Sequence, residues 1–403
     1  MTELLAPAGT FEKMETAFRF GADAVYFAGK KFGLRAFAGN FSNDEIFEAT
    51  NYAHILGKKV YITINILAHE GDFDGMKEYL DDLVKAKVDA VIVSDLGIIQ
   101  FIKENAPSLT IHVSTQANIL NSYAINFMCK MGVKRIILAR ELSIEEIKQI
   151  KKRIPNDIEL ESFVHGAMCI SYSGRCLLSN YLTGRDANRG ACTQPCRWEY
   201  TITEKSRKGQ EYEIQEDERG TYILNSKDMM MIEHLKELKD AGITSFKIEG
   251  RMKSPYYVAN VVNAYRFALD NLESLTKDDY EMLKKELCKT SHRNYTTGFY
   301  LGAKDKECLQ SSMPVQTSEF MASVLEDADG EKVLIEQRNR FKKGDVLEVL
   351  SPNKDTFNKT ILIEKMTNIN GEEVLDAKDV QQKLYLHTNL ALKKGDILRK
   401  DIQ

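Results

Sequence analysis

FGADAVYFAG (residues 20–29) passes from a glycine and a small polar pair into a β-branched and aromatic run too short for a helix. AKVDAVIVSD (86–95), MGVKRIILAR (131–140) and AGITSFKIEG (241–250) are versions of the same pattern. A glycine just past a helix allows the left-handed conformation that ends it. The apolar run behind it suits a strand buried on both faces. Further strands are expected in ELLAPAG (3–9), KKVYITINI (58–66), TIHVSTQ (110–116) and IELESFVHG (158–166). Amphipathic helices lie between them, such as DGMKEYLDDLVKAK (74–87), opening on an aspartate, and SIEEIKQIKKRI (143–154), opening on a serine. Both openings are good N-caps. Eight strands alternating with helices over roughly 270 residues predict a (β/α)8 TIM-like barrel. A doubly wound sheet is the rival, and no glycine-rich fingerprint follows the first strand to favour it.

From about residue 312 the pattern changes to short alternating segments, FMASVLEDADGEKVLIEQ (320–337), DVLEVLSP (345–352) and TILIEKMTNINGEEV (360–374). Turn residues between them predict antiparallel structure, a small β-barrel. FKKGDVLEVL (341–350) is echoed by LKKGDILRK (392–400), each a turn with a positive tip. The expected division is a barrel over 1–311 and a β domain over 312–403, with an insertion at about 169–225 after the seventh strand. The run SKDMMMIEHLKEL (226–238) is expected to resume the barrel as a helix, its methionines packing in the core. Of 403 residues, 43% are hydrophobic and 28% charged, which is a globular composition with a full core. MTELLAPAGTFEKMETAF has no basic region leading into an apolar one, and no apolar run is long enough to span a membrane. A cytoplasmic location is expected, where thiols stay reduced. A net charge of −4 gives no global attraction to nucleic acid, so RNA binding needs a local basic patch.

CISYSGRCLLSNYLTGRDANRGACTQPC (169–196) holds four of the seven cysteines, Cys169, Cys176, Cys192 and Cys196. Four convergent thiolates suit soft-metal chemistry, an iron–sulfur cluster or zinc. Structural zinc favours tighter pairs than the first two cysteines make. The spacing leaves a cluster, a Zn2+ site and no metal all open. Arg175, Arg185, Arg189 and Arg197 would offset thiolate charge. His165, four residues before Cys169, also admits a Cys–His nucleophile. In a barrel, chemistry sits where strands end. Asn65, Asp95, Gln116, Arg140, His165, Glu249 and Arg251 occupy those ends. No zinc-protease helix, nucleophile elbow or P-loop is present.

ESFVHGAMCISYSGRCLLSNYLTGRDANRGACTQPCRWEY (161–200) closely resembles the signature of the U32 peptidase family, the collagenase-like proteases. LLAPAGTFEKMETAFRFGADAVYFAG, GLRAFAGNFS (33–42), NSKDM (225–229) and KIEGRMKSPYY (247–257) match its other blocks. The family name implies proteolysis of unassigned catalytic type. Better-understood relatives carry out oxygen-independent hydroxylation, and the chain looks most like their tRNA branch. That resemblance implies 5-hydroxylation of wobble uridine 34 with a [4Fe–4S] cluster and prephenate as hydroxyl source. The cluster role is carried onto Cys169, Cys176, Cys192 and Cys196. Arg35, Arg140 and Arg251 are candidates for gripping a dicarboxylate such as prephenate. Asn65 and Gln116 join them as substrate-binding candidates. His165 and Glu249 are candidates for moving protons, so that His165, Glu249 and Arg251 form the expected catalytic set. For the anticodon loop of tRNA, Lys205, Arg207 and Lys208 in the insertion and Lys342, Lys343, Lys393 and Lys394 in the β domain are the expected basic patch. A protein partner or paralogue is compatible with this reading, and so are two alternatives: a peptidase, or an RNA-binding scaffold with structural zinc.

Overall fold

The computed structural model describes residues 2–34, 39–169, 171–198, 216–217, 220–221, 227–302 and 314–402. Arg35, Lys205, Arg207 and Lys208 lie outside the described residues. The chain forms two compact units, one of residues 1–14, 23–252 and 293–314, the other of 15–22, 253–292 and 315–403.

All eight expected strands are present in the first unit. They are β1 (Glu3–Pro7), β2 (Ala24–Phe27), β3 (Lys59–Ile64), β4 (Ala90–Val93), β5 (Ile111–Val113), β6 (Arg135–Ile137), β7 (Glu159–Ala167) and β8 (Ser245–Ile248). Each pairs in parallel with the next, and β8 pairs with both β7 and β1, closing the barrel. The sequence AVYF of β2 and AVIV of β4 is buried at every position, as strands covered on both faces require. Gly21 (φ 105°) ends its helix as expected, while Lys87 (φ 57°) takes the left-handed position where AKVDAVIVSD has no glycine.

Two local expectations are corrected. The helix Met76–Lys85 starts from Gly75 without a side-chain cap, because Asp74 already closes the preceding turn Glu70–Phe73. Residues Asp228–Met230 form a strand, not a helix, since β7 runs on past the barrel and offers them an antiparallel edge. Met229 and Met231 are buried there as expected, and the helix begins only at Leu235. Ser143 caps its helix in a full capping box with Glu146. Among the described residues no helix is long and apolar enough to cross a membrane.

The N-terminal ends of the strands hold a buried ionic network. The Arg135 guanidinium donates to Glu3, to Glu159 at 2.7 Å and to Glu161 at 3.1 Å. Lys247 donates to Glu161 at 2.8 Å, and Glu3 also accepts from the Tyr61 hydroxyl (2.6 Å) and Ser245 (2.8 Å). Burial alone would raise the Glu3 carboxyl, but Arg135, Tyr61 and Ser245 outweigh it and hold it below its ordinary 4.5. Burial and the charges of Arg135 and Lys247 keep neighbouring His112 neutral, well below its usual range.

The second unit contains the expected antiparallel β structure, a seven-stranded sheet ordered Thr360–Leu362, Val346–Leu350, Ile397–Asp401, Ser318–Val324, Lys332–Gln337, Lys383–His387, Met366–Asn368. The sequence echo is a structural one. In both turns the first lysine amide donates to the aspartate, Lys342 to Asp345 at 2.9 Å and Lys393 to Asp396 at 2.8 Å. Arg399, fully buried, donates to Glu286, to Glu348 at 2.7 Å and to Asn260 at 2.9 Å.

Replacing Arg135 by Met leaves two buried carboxylates with Lys247 alone to compensate. The expected loss is about 3–5 kcal/mol of barrel stability, read by urea unfolding followed by circular dichroism. The Glu3 share is fully present above 4.5, its ordinary value, and is lost as pH falls through the lowered folded one. The gap between wild type and variant therefore narrows on acidification. A neutral-pH difference under roughly 1 kcal/mol contradicts the network's role.

Candidate active site

At the opposite, C-terminal ends of the strands lies a cavity of ≈ 200 Å³. Its floor is the ring of Tyr26, the ring of Phe163 and the Lys247 ammonium, whose Nζ stands 4.2 Å from the Tyr26 ring centroid. Its wall carries Asn65, Gln116, Arg140, Glu249 and Arg251, five of the seven residues expected at strand ends. The single proton of the Tyr26 hydroxyl is shared between the Ile248 carbonyl at 2.9 Å and Glu249 at 3.2 Å. Asn65 Oδ1 accepts the Leu34 amide at 3.2 Å. Arg251 donates to the Leu34 carbonyl at 2.9 Å and to Asn40 at 2.7 Å, holding those two residues to the barrel. Arg140 donates to the Ala167 carbonyl at 3.0 Å and to Ser173 at 2.7 Å. Both guanidiniums thus anchor loops as well as facing the cavity.

His165 does not line it. β7 carries an extra residue opposite β8, with Phe163 paired to Lys247 and His165 to Ile248, so the alternation breaks at Val164. His165 is buried against Tyr295, its ring 5.4 Å away. Asp95 is a helix N-cap, accepting from the Gly97 amide at 2.8 Å. Lys342, Lys343, Lys393 and Lys394 belong to the second unit, where Lys343 pairs with Glu373 and Lys393 with Asp327, each at 2.9 Å.

The cysteine segment is brought back over the barrel by specific contacts. Gly166 (φ 110°) lets the end of β7 touch β8, since a Cβ there would meet the Glu249 carbonyl at 2.7 Å. Gly174 (φ 73°) sits on Gln116 in the same way, at 2.8 Å. Asn118 donates to the Ser173 carbonyl at 2.5 Å. Arg189 grips Asp72 with two bonds of 2.7 and 2.8 Å, and the Leu67 amide donates to the Asn188 carbonyl at 3.2 Å. Arg189 is therefore a latch, not the counter-charge to thiolates that its place in the sequence suggested. Arg175 and Arg185 face solvent, and Arg197 lines the cavity.

With these anchors Cys169, Cys176, Cys192 and Cys196 all line the one cavity. Burial pushes the Cys196 thiol up, Arg197 pulls it down, and the other three cysteines lie near enough to raise it again. Cys169 lies near enough to Arg140 to help hold that guanidinium charged. Among the described residues no three His, Cys, Asp or Glu side chains close on a point where one ion would sit. A single zinc draws its four thiolates to about 2.3 Å. Four thiolates are a soft donor set that suits zinc and a multi-iron cluster alike.

Lys247, Tyr26 and Phe163 line the cavity and Asp72 holds its cysteine segment, and the sequence reading singled out none of the four. Lys247 had a signal, since it stands two residues before Glu249 on one strand and period two puts both on the interior face. Asp72 had none, being 117 positions from Arg189.

The Arg189 bonds hold the Asp72 carboxyl down at about 2, despite some burial. Asp72→Asn is expected to free the cysteine segment, seen as faster proteolytic nicking between 169 and 198 with the barrel intact. In the wild type the latch is complete above 3.8 and is lost as pH falls toward about 2. Nicking unchanged by Asp72→Asn shows that the other anchors suffice.

Residues 9–310 match the family described as Peptidase family U32, and 316–399 match its C-terminal domain. The chain is 39% identical to the tRNA hydroxylation protein P1 of Bacillus subtilis over 99% of its own length and 94% of that protein's. It is 37% identical to the tRNA hydroxylation protein P of Escherichia coli, over 92% and 90% of the two chains. To a collagenase of Porphyromonas gingivalis it is 33% identical, over 75% and 74%. With the barrel, the cysteine segment and the β domain all accounted for, the chain belongs to the U32 peptidase family.

Proposed function

We propose that this protein hydroxylates RNA, as an oxygen-independent enzyme that converts uridine 34 of tRNA to 5-hydroxyuridine with prephenate as hydroxyl source. One observation carries the reading. Four cysteines line a single cavity on the catalytic rim of the barrel, in a chain alike over nearly its whole length to a tRNA hydroxylation protein. Cys169, Cys176, Cys192 and Cys196 would hold a [4Fe–4S] cluster. Bound there, such a cluster supplies Lewis-acid and redox chemistry that no side chain offers. The cavity's own groups do the rest. Arg140, Arg197 and Arg251 line its wall and Lys247 its floor, which gives an anionic co-substrate oriented, charge-assisted partners. Glu249, held by the Tyr26 hydroxyl, is the group placed to move a proton. The floor of aromatic rings and the overlying cysteine segment limit water at the reacting atoms.

The collagenase among the relatives favours a second reading, peptidase action. Cleavage of gelatin or casein by the pure protein, abolished by Glu249→Gln, would support it.

Nucleosides of tRNA from cells lacking this protein, with paralogues also removed, are expected to lose 5-hydroxyuridine and its derivatives. Anaerobically purified protein is expected to be brown, and Cys176→Ala to lose both the iron and the modified nucleoside. Iron content unaffected by Cys176→Ala refutes the ligand set. An unchanged nucleoside profile refutes the function, and a colourless protein with stoichiometric zinc indicates a structural metal instead.

A further inference from the structure

Between Cys169 and Trp198 stand four arginines and one acid, Asp186, in a chain whose net charge is −4. The same segment exposes large apolar side chains to solvent, Tyr181 at 86%, Leu177 at 67%, Tyr172 at 50%, Leu182 at 43% and Trp198 at 42%. Scattered exposed apolar residues need no explanation, but a contiguous group does. Leu177 and Tyr181 are four residues apart on one face of the turn where the Tyr181 amide donates to the Leu177 carbonyl at 2.9 Å. The helix they begin, Leu178–Thr183, packs on the turn Pro195–Arg197, which Trp198 follows. Tyr172 stands at the cavity itself. Arg175 and Arg185, both exposed, belong to the same segment.

Resting on the RNA reading above, we propose that this face is where the substrate docks, and that it takes an unpaired loop. Tyr172, Tyr181 and Trp198 stack bases of the loop while Arg175 and Arg185 meet its phosphates. Three considerations select that partner. Aromatic platforms interleaved with cations suit single strands, because every base has a π-face and a backbone of phosphates. A paired A-form helix presents phosphates but keeps the faces of its bases stacked inside. The adjoining cavity, ≈ 200 Å³, is far too small to admit a duplex. The basic charge of the segment, against an acidic whole, gives the complementarity that an apolar protein partner would not need.

Trp198 is the chain's only tryptophan, so its fluorescence reports this face directly. The full-length protein is titrated with a synthetic RNA hairpin whose unpaired loop contains uridine, and with a blunt duplex of the same stem. The hairpin is expected to quench Trp198 and the duplex to leave it unchanged. Tyr181→Ala is expected to weaken hairpin binding roughly tenfold, and Arg175→Gln with Arg185→Gln to flatten its salt dependence. Tyr181 is so exposed that its replacement leaves folding intact, which circular dichroism checks. Wild-type affinity in the Tyr181→Ala protein overturns the proposal, as does equal binding of the duplex. So does concentration-dependent self-association that Tyr181→Asp abolishes while hairpin affinity holds, because the face then joins two copies of this chain. If deletion removes 5-hydroxyuridine from tRNA but Tyr181→Ala restores it fully with unchanged affinity, the docking face alone has failed. If wild-type protein binds no hairpin and deletion changes no nucleoside, the RNA reading has failed with it.

Discussion

Glu161 has no exposed surface, and a carboxylate in that position must be paired on every side that water would have occupied. Arg135 and Lys247 supply the two cations, from β6 and β8, the strands that flank β7 on either side. Arg135 continues to Glu3 on β1, so one buried network ties together the strands on both sides of the closing seam. It also sets the height of the site. Lys247 reaches down to Glu161 and lies against the rings of Tyr26 and Phe163, which form the floor of the cavity. The packing that closes the barrel and the surface on which chemistry would occur thus share a side chain.

Above that floor the problem is entropic. Twenty-seven positions separate Cys169 from Cys196, and gathering them costs the freedom of every residue between. The structure meets this cost with fixed points spaced along the segment. Arg140 and Asn118 hold Ser173, Asn188 reaches the Cys176 carbonyl at 3.3 Å, and Asp72 holds Arg189. Within the segment, Ser179 accepts the Thr193 amide at 3.1 Å, drawing the second pair of cysteines toward the first.

The strands were legible because each is a short apolar run, and four of the eight repeat one local signal in which that run follows a helix stop. The paired KKGD turns were legible for the same reason. Asn65, Gln116 and Glu249, at strand ends, lie in the cavity wall as expected, whereas Asp95, after an equally regular strand, is spent on capping a helix. His165 escaped because the bulge at Val164 breaks the alternation, and a bulge is fixed by pairing with β8 and with Asp228–Met230, not by the residues of β7 themselves. The Met run was misread for a related reason, since strand Asp228–Met230 exists only where β7 offers an edge. The latch between Asp72 and Arg189 has no counterpart in local sequence at all.

The arginines of the cysteine segment show how little a charge count says about use. Arg189 is latched to Asp72 with both nitrogens, Arg197 lines the cavity, and Arg175 and Arg185 face outward. A segment that merely balanced thiolate charge would turn all four inward, where the field of a metal cluster is strongest. Here one arginine goes to position, one to the cavity and two to the exterior, where Tyr172, Tyr181 and Trp198 of the same segment are also exposed. The inner and outer faces of one thirty-residue segment are therefore mechanically a single object. Whatever orders the cysteines also orders the outer face, and a ligand held on that face steadies the cavity wall beneath it.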